Sequence, residues 1–118
     1  MSDLQKYVKQ AIGQPVAPGE PLWQRAPTHD SEGRLLTDFM MLIPQLGKRP
    51  SGEIERVSLI IHNVLALFSE VVFADLNLKL NLLWVSLKPR HGAIAEIAAA
   101  IRTLIPGAVL VAHHVDPF

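Results

Sequence analysis

The chain has 118 residues, 49% of them apolar, and its eleven lysines and arginines balance eleven aspartates and glutamates. That length suits one hydrophobic core, and zero net charge argues against both a charge-repelled disordered chain and the basic footprint of a nucleic-acid binder. The absence of cysteine excludes disulfides, thiolate nucleophiles and cysteine metal sites, leaving only histidine and carboxylate as strong metal ligands.

The first predicted element is a short helix over Ser2 to Ile12, capped by Ser2 and carrying Leu4, Tyr7, Val8 and Ile12 on one side. The stretch Met1 to Gly13 holds Asp3, Lys6 and Lys9 and does not resemble a secretory signal. From Gly13 to Gly33, four prolines and three glycines surround Trp23, which predicts an extended arm. Residues 1–33 are therefore expected to form an N-terminal extension that docks on the domain of residues 34–118 or on a neighbour.

Arg34 to Ile43 reads as a strand ended by Pro44. Gly52 to Phe68 shows Ile54, Val57, Ile61, Val64, Leu65 and Phe68 at helical spacing, with Ser51 or Gly52 as the expected cap and Glu53 and Glu55 near its start. Glu70 to Leu87 is too long for one strand; Asn77 and Asn81 divide it into two, joined by a tight turn near Asn77 to Lys79. Gly92 to Ile105 repeats the helical stripe and stops at Pro106-Gly107, and Ala108 to Val115 is the final strand. The longest greasy run, Leu59 to Phe68, is broken by His62 and Asn63 and falls short of the roughly 20 apolar residues that span a bilayer. A cytoplasmic protein with no membrane partner is the expectation.

The two helical segments align without a gap, matching Gly52 with Gly92, Ile54 with Ile94, Val57 with Ile97, Ile61 with Ile101, Val64 with Leu104 and Leu65 with Ile105. The resulting order is strand, helix, strand, strand, helix, strand. Right-handed crossovers then predict an α+β, ferredoxin-like βαββαβ sandwich: a four-stranded antiparallel sheet with two helices on one face. In topology and size, residues 34–115 resemble the small ferredoxin-like regulatory domains of the ACT type, whose glycine is echoed by Gly47 and Gly52. The same span is similar to the dimeric alpha-beta-barrel proteins that include cofactor-free monooxygenases.

The third strand is apolar on both sides, with Leu83, Val85 and Leu87 opposed to Leu82 and Trp84; Phe39 and Met41 against Met40 and Leu42 repeat this in the first strand. A sheet face open to water should be polar, so a second covering is expected on the helix-free face. The candidates are a second subunit, giving a two-fold homodimer, and the chain's own extension carrying Trp23.

Four of the eleven basic residues, Lys48, Arg49, Lys88 and Arg90, lie in the two strand-to-helix junctions. A helix start offers free backbone donors to an anion, yet contributes only about 0.3–1 kcal/mol for an exposed charge. Because the first and third strands run antiparallel, the two junctions fall at opposite ends of the sheet and cannot share a ligand. The candidate anion- or ligand-binding residues are Lys88, Arg90 and His91, joined at the same end by His113, His114 and Asp116 from the last strand. Adjacent His113 and His114 point to opposite faces of a strand, so no metal site is assigned. No catalytic triad, phosphate-binding loop or paired-histidine motif occurs, and no cofactor is implied. The expected function is a non-enzymatic, dimeric, regulatory domain that binds a small molecule or a protein partner. The alternative is a cofactor-free enzyme with His62 as base in a pocket between helices and sheet.

Overall fold

The computed structural model describes residues 28–113. They form strand β1 (Thr37–Leu42), a 3-10 turn (Leu46–Lys48), helix α1 (Ser51–Leu65), strands β2 (Val71–Asn77) and β3 (Leu82–Leu87), helix α2 (Ala93–Leu104) and strand β4 (Val109–His113). The expected helix over Ser2 to Ile12 and the arm as far as Pro27 lie outside the described residues, as do His114 and Asp116. The four strands make one antiparallel sheet in the order β2-β3-β1-β4, so the architecture is α+β and compatible with a ferredoxin-like fold.

Alternation along the strands builds the core. Phe39 and Met41 of β1 and Leu83, Val85 and Leu87 of β3 are fully buried in one cluster with Val57, Ile61 and Leu65 of α1 and Ile97 and Ile101 of α2. Both helices therefore pack on the same face of the sheet. Each of these large side chains contributes about 1.5–3 kcal/mol by leaving water.

The opposite face is divided. On its β1–β3 half, Met40, Leu42, Leu82 and Trp84 are only half-buried. On its β2 side, Val72, Phe73 and Asp75, with the neighbouring Ser86 of β3, are at most 4% exposed. A register shift between Val71 and Phe73 explains how two consecutive residues, Val72 and Phe73, both leave the main core and cluster instead with Leu36.

Several local expectations need correction. The residue before α1 is Pro50, which caps without a side-chain hydrogen bond; Ser51 is already helical, and the backbone N–H groups of Glu53 and Ile54 donate to the Pro50 carbonyl at 2.9 and 3.0 Å. The β2–β3 turn spans Leu78 to Asn81 rather than Asn77 to Lys79. Asn81 takes the left-handed conformation (φ 57°) and Asn77 Oδ1 accepts the Leu80 N–H at 3.0 Å, so the two asparagines brace the turn from either end. The helical repeat also breaks: Val64 is 4% exposed and Leu104, its match, 55%. Gly92 has a φ of 80° as the cap of α2, whereas Gly52 lies inside α1.

Gly47 is fixed by contact. Its N–H donates to Asn81 Oδ1 at 2.8 Å, and a Cβ there would sit 2.2 Å from the Leu78 carbonyl oxygen. The turn after β1 is thus pressed against the β2–β3 hairpin. Gly47→Ala is expected to destabilise the fold by about 1–3 kcal/mol in urea unfolding, as overpacking does. Gly52→Ala, where nothing lies within 4 Å, should stabilise it by about 0.4–1 kcal/mol by restricting the unfolded chain. Equal effects at the two sites would contradict the close approach.

Candidate functional site

β3 ends where Pro89 can no longer donate to a ladder. The preceding Lys88 still makes one bond, its N–H donating to the Glu70 carbonyl at 2.8 Å. This brings Glu70, just ahead of β2, beside the β3–α2 junction. The Arg90 guanidinium then joins two carboxylates: Nε donates to Glu70 Oε1, and Nη2 to Glu96 Oε2 at 2.8 Å. Glu96 is placed by helix geometry, for its own N–H closes the first turn of α2 onto the Gly92 carbonyl at 3.0 Å.

Hydrogen bonding from Arg90 holds the Glu96 carboxyl below its ordinary range, and the same bond, with the one Arg90 donates to Glu70, raises the already high pKa of Arg90. Two carboxylates thus pair with Arg90, and Lys88 lies two residues before it. The junction carries cations without a net cationic field, which sets it apart from a simple anion cradle. His91 is exposed beside it.

Of the remaining predicted residues, His113 ends β4 with its backbone paired to Phe39, so β1 stands between it and β3. Two strand steps amount to about 10 Å. Lys88, Arg90 and His91 are brought together by adjacency in sequence; His113 is across the sheet from them, and His114 falls outside the described residues. The other basic junction lies at the opposite end of the sheet, because Leu42 pairs with Leu82 while Thr37 pairs with Leu87. There Arg49 donates to the Pro44 carbonyl at 3.2 Å. Among the described residues no group of three or more His, Asp or Glu is arranged to hold a metal ion.

Glu70 and Glu96 are the residues that sequence reasoning missed. Glu96 carried a signal, lying in the first turn of a helix where an acid is favoured. Glu70 carried none, since its nearness to Arg90 depends on the β2–β3 register. A second ion cluster, in the loop before β1, has the same local logic: Asp30 accepts the N–H groups of Glu32 and Arg34 and the Arg34 side chain, and these bonds, led by the Arg34 N–H, lower its pKa.

Set against known proteins, the chain matches no family model, no curated protein and no solved structure.

Because Glu96 has a depressed pKa in the folded state, the stability it contributes is present above the ordinary glutamate range and is lost as pH falls through the folded value. Arg90→Gln is expected to move the NMR titration midpoint of Glu96 upward to the ordinary range; an unchanged midpoint would show that Arg90 is not the cause. Inorganic phosphate should bind the native junction no tighter than roughly millimolar. Glu70→Gln with Glu96→Gln should tighten it several-fold, and NMR titration of the His91 and Gly92 amides reads both.

Proposed function

We propose that this protein is a non-enzymatic domain of ferredoxin-like type that works as a homodimer and binds a small molecule or a protein partner. The observation that carries the proposal is the apolar patch on the helix-free sheet face: Met40, Leu42, Leu82 and Trp84 are half-buried and Val109 is 49% exposed. They sit on three adjacent strands in register, Met40 opposite Trp84 and Leu42 opposite both Leu82 and Val109. A second copy packed two-fold on this patch would bury it against itself.

The ferredoxin-like reading rests on the central antiparallel β1–β3 pair, the edge positions of β2 and β4, and the two helices on one face. The Leu87–Gly92 junction is the place for a polar ligand. Its balanced charges suit a group bearing both signs better than a bare anion. No described helix is long and apolar enough to cross a membrane.

The rival reading, a cofactor-free enzyme with His62 as base, draws on the half-burial of His62 near the end of α1. Against it, His62 lies off the buried stripe of Val57, Ile61 and Leu65, and its near neighbours Leu59 and Ala66 are exposed. A base there would work at a helix surface.

Sedimentation of the full chain at tens of micromolar is expected to give a dimer, and Trp84→Glu a folded monomer with an unchanged far-UV spectrum. A monomeric native chain would remove the dimer. Loss of a measured turnover in His62→Ala, with Trp84→Glu leaving it intact, would favour the enzyme.

A further inference from the structure

The β2 side of the helix-free face presents a different problem from the apolar patch. Val72 is 2% exposed, Phe73 4%, Asp75 0% and Ser86 2%, although neither helix lies on that side of the sheet. Among the described residues only Leu36 shares a buried cluster with Val72 and Phe73, and one leucine cannot enclose all four.

We propose that the occupant of this half-face is the chain's own N-terminal segment, residues 1–27. The place where that segment joins the described chain supports this. The Thr28 carbonyl accepts the Leu36 N–H at 2.9 Å, and His29 bridges Leu35, so the segment meets the sheet beside the very residue that clusters with Val72 and Phe73.

Reach agrees. Five residues of extended chain cover about 17 Å, and β1 lies only two strand steps, about 10 Å, from β2. Leu22 and Trp23 are therefore within range of Val72 from Thr28. Composition agrees as well, because Pro15, Pro18, Pro21 and Pro27 suit an extended segment that covers a sheet without extending its ladder.

The other end of the chain fits less well. Residues 114–118 follow β4, three strand steps or about 14 Å from β2. To reach β2 they would cross Met40 and Trp84, which stay half-exposed. This division of the face is independent of the dimer reading, which uses the β1–β3–β4 half.

The chain lacks cysteine, so single thiols can report the cover without background. Ser86→Cys is nearly isosteric and is the principal probe; Val72→Cys is a second probe on β2, and Met40→Cys marks the open half. In the full-length chain at sub-micromolar concentration, Ser86→Cys is expected to react with a water-soluble disulfide reagent at least about tenfold more slowly than Met40→Cys, as a covered thiol that must await local opening does. Adding Leu22→Ser and Trp23→Ser should bring the two rates together, with far-UV and near-UV spectra confirming a folded sheet. Three results would overturn the proposal. Protection that survives these substitutions and removal of residues 1–27 would exclude the segment. Protection lost on dilution would assign the cover to a second copy, and protection lost only when residues 114–118 are removed would assign it to the C-terminus. Trp84→Glu read in the same assay separates the two proposals, since it should abolish the dimer and leave Ser86→Cys protected.

Discussion

The antiparallel pairing of β1 with β3 is the constraint from which the rest of this structure follows. It runs unbroken from Thr37–Leu87 to Leu42–Leu82, and its alternation sends Phe39, Met41, Leu83, Val85 and Leu87 to the helices. The same alternation leaves Met40, Leu42, Leu82 and Trp84 on the other side. A shift of one residue would exchange the two sets and expose the largest core side chains. The pairing also sets polarity along the sheet: each strand leaves toward its own helix from a different end. The two cationic junctions, alike in sequence, are held apart by it.

Electrostatics at the β3–α2 junction shows how tertiary pairing changes the meaning of a basic motif. Lys88-Pro89-Arg90-His91 is cationic as written, and at a helix start it suggests an anion. Folding brings in Glu70 through the β2–β3 ladder and Glu96 through the first turn of α2, and both accept hydrogen bonds from Arg90. These bonds tie two loops and a helix together at one point. The guanidinium serves there as a clasp between elements, and any anion at this junction would have to compete with the two carboxylates for it.

The sheet's two faces differ in how completely they are buried. The helix face is a closed core, with its large side chains at or near zero exposure. The other face grades from burial along β2 to partial exposure along β1, β3 and β4, and its β4 edge presents Val109 and Val111 at 49% exposure each. The gradient follows the strand order, from β2 at one edge to β4 at the other. Bulges contribute to the grading. The shift at Val72 turns β2 side chains toward the outer face, and the shift between Met40 and Met41 leaves Val111 without a counterpart in β1.

Much of this architecture was legible from residue order alone. Apolar spacing located both helices within one or two residues at their starts, because a buried stripe recurs every three or four positions whatever it packs against. Proline and glycine marked the ends of β1, β3 and α2, since their backbone limits act locally. Two apolar parities in β1 and β3 likewise marked the outer face of the sheet as apolar, and Met40, Leu42, Leu82 and Trp84 do lie there half-buried. What sequence could not reach depended on contacts between distant segments. The requirement for glycine at position 47 comes from the Leu78 carbonyl, the inequality of Val64 and Leu104 from which helix turn meets the sheet, and the pairing of Arg90 with Glu70 from the β2–β3 register. Local chemistry decided where the elements begin and end; the three-dimensional pairing of strands decided which charges are neutralised and which apolar side chains stay outside the core.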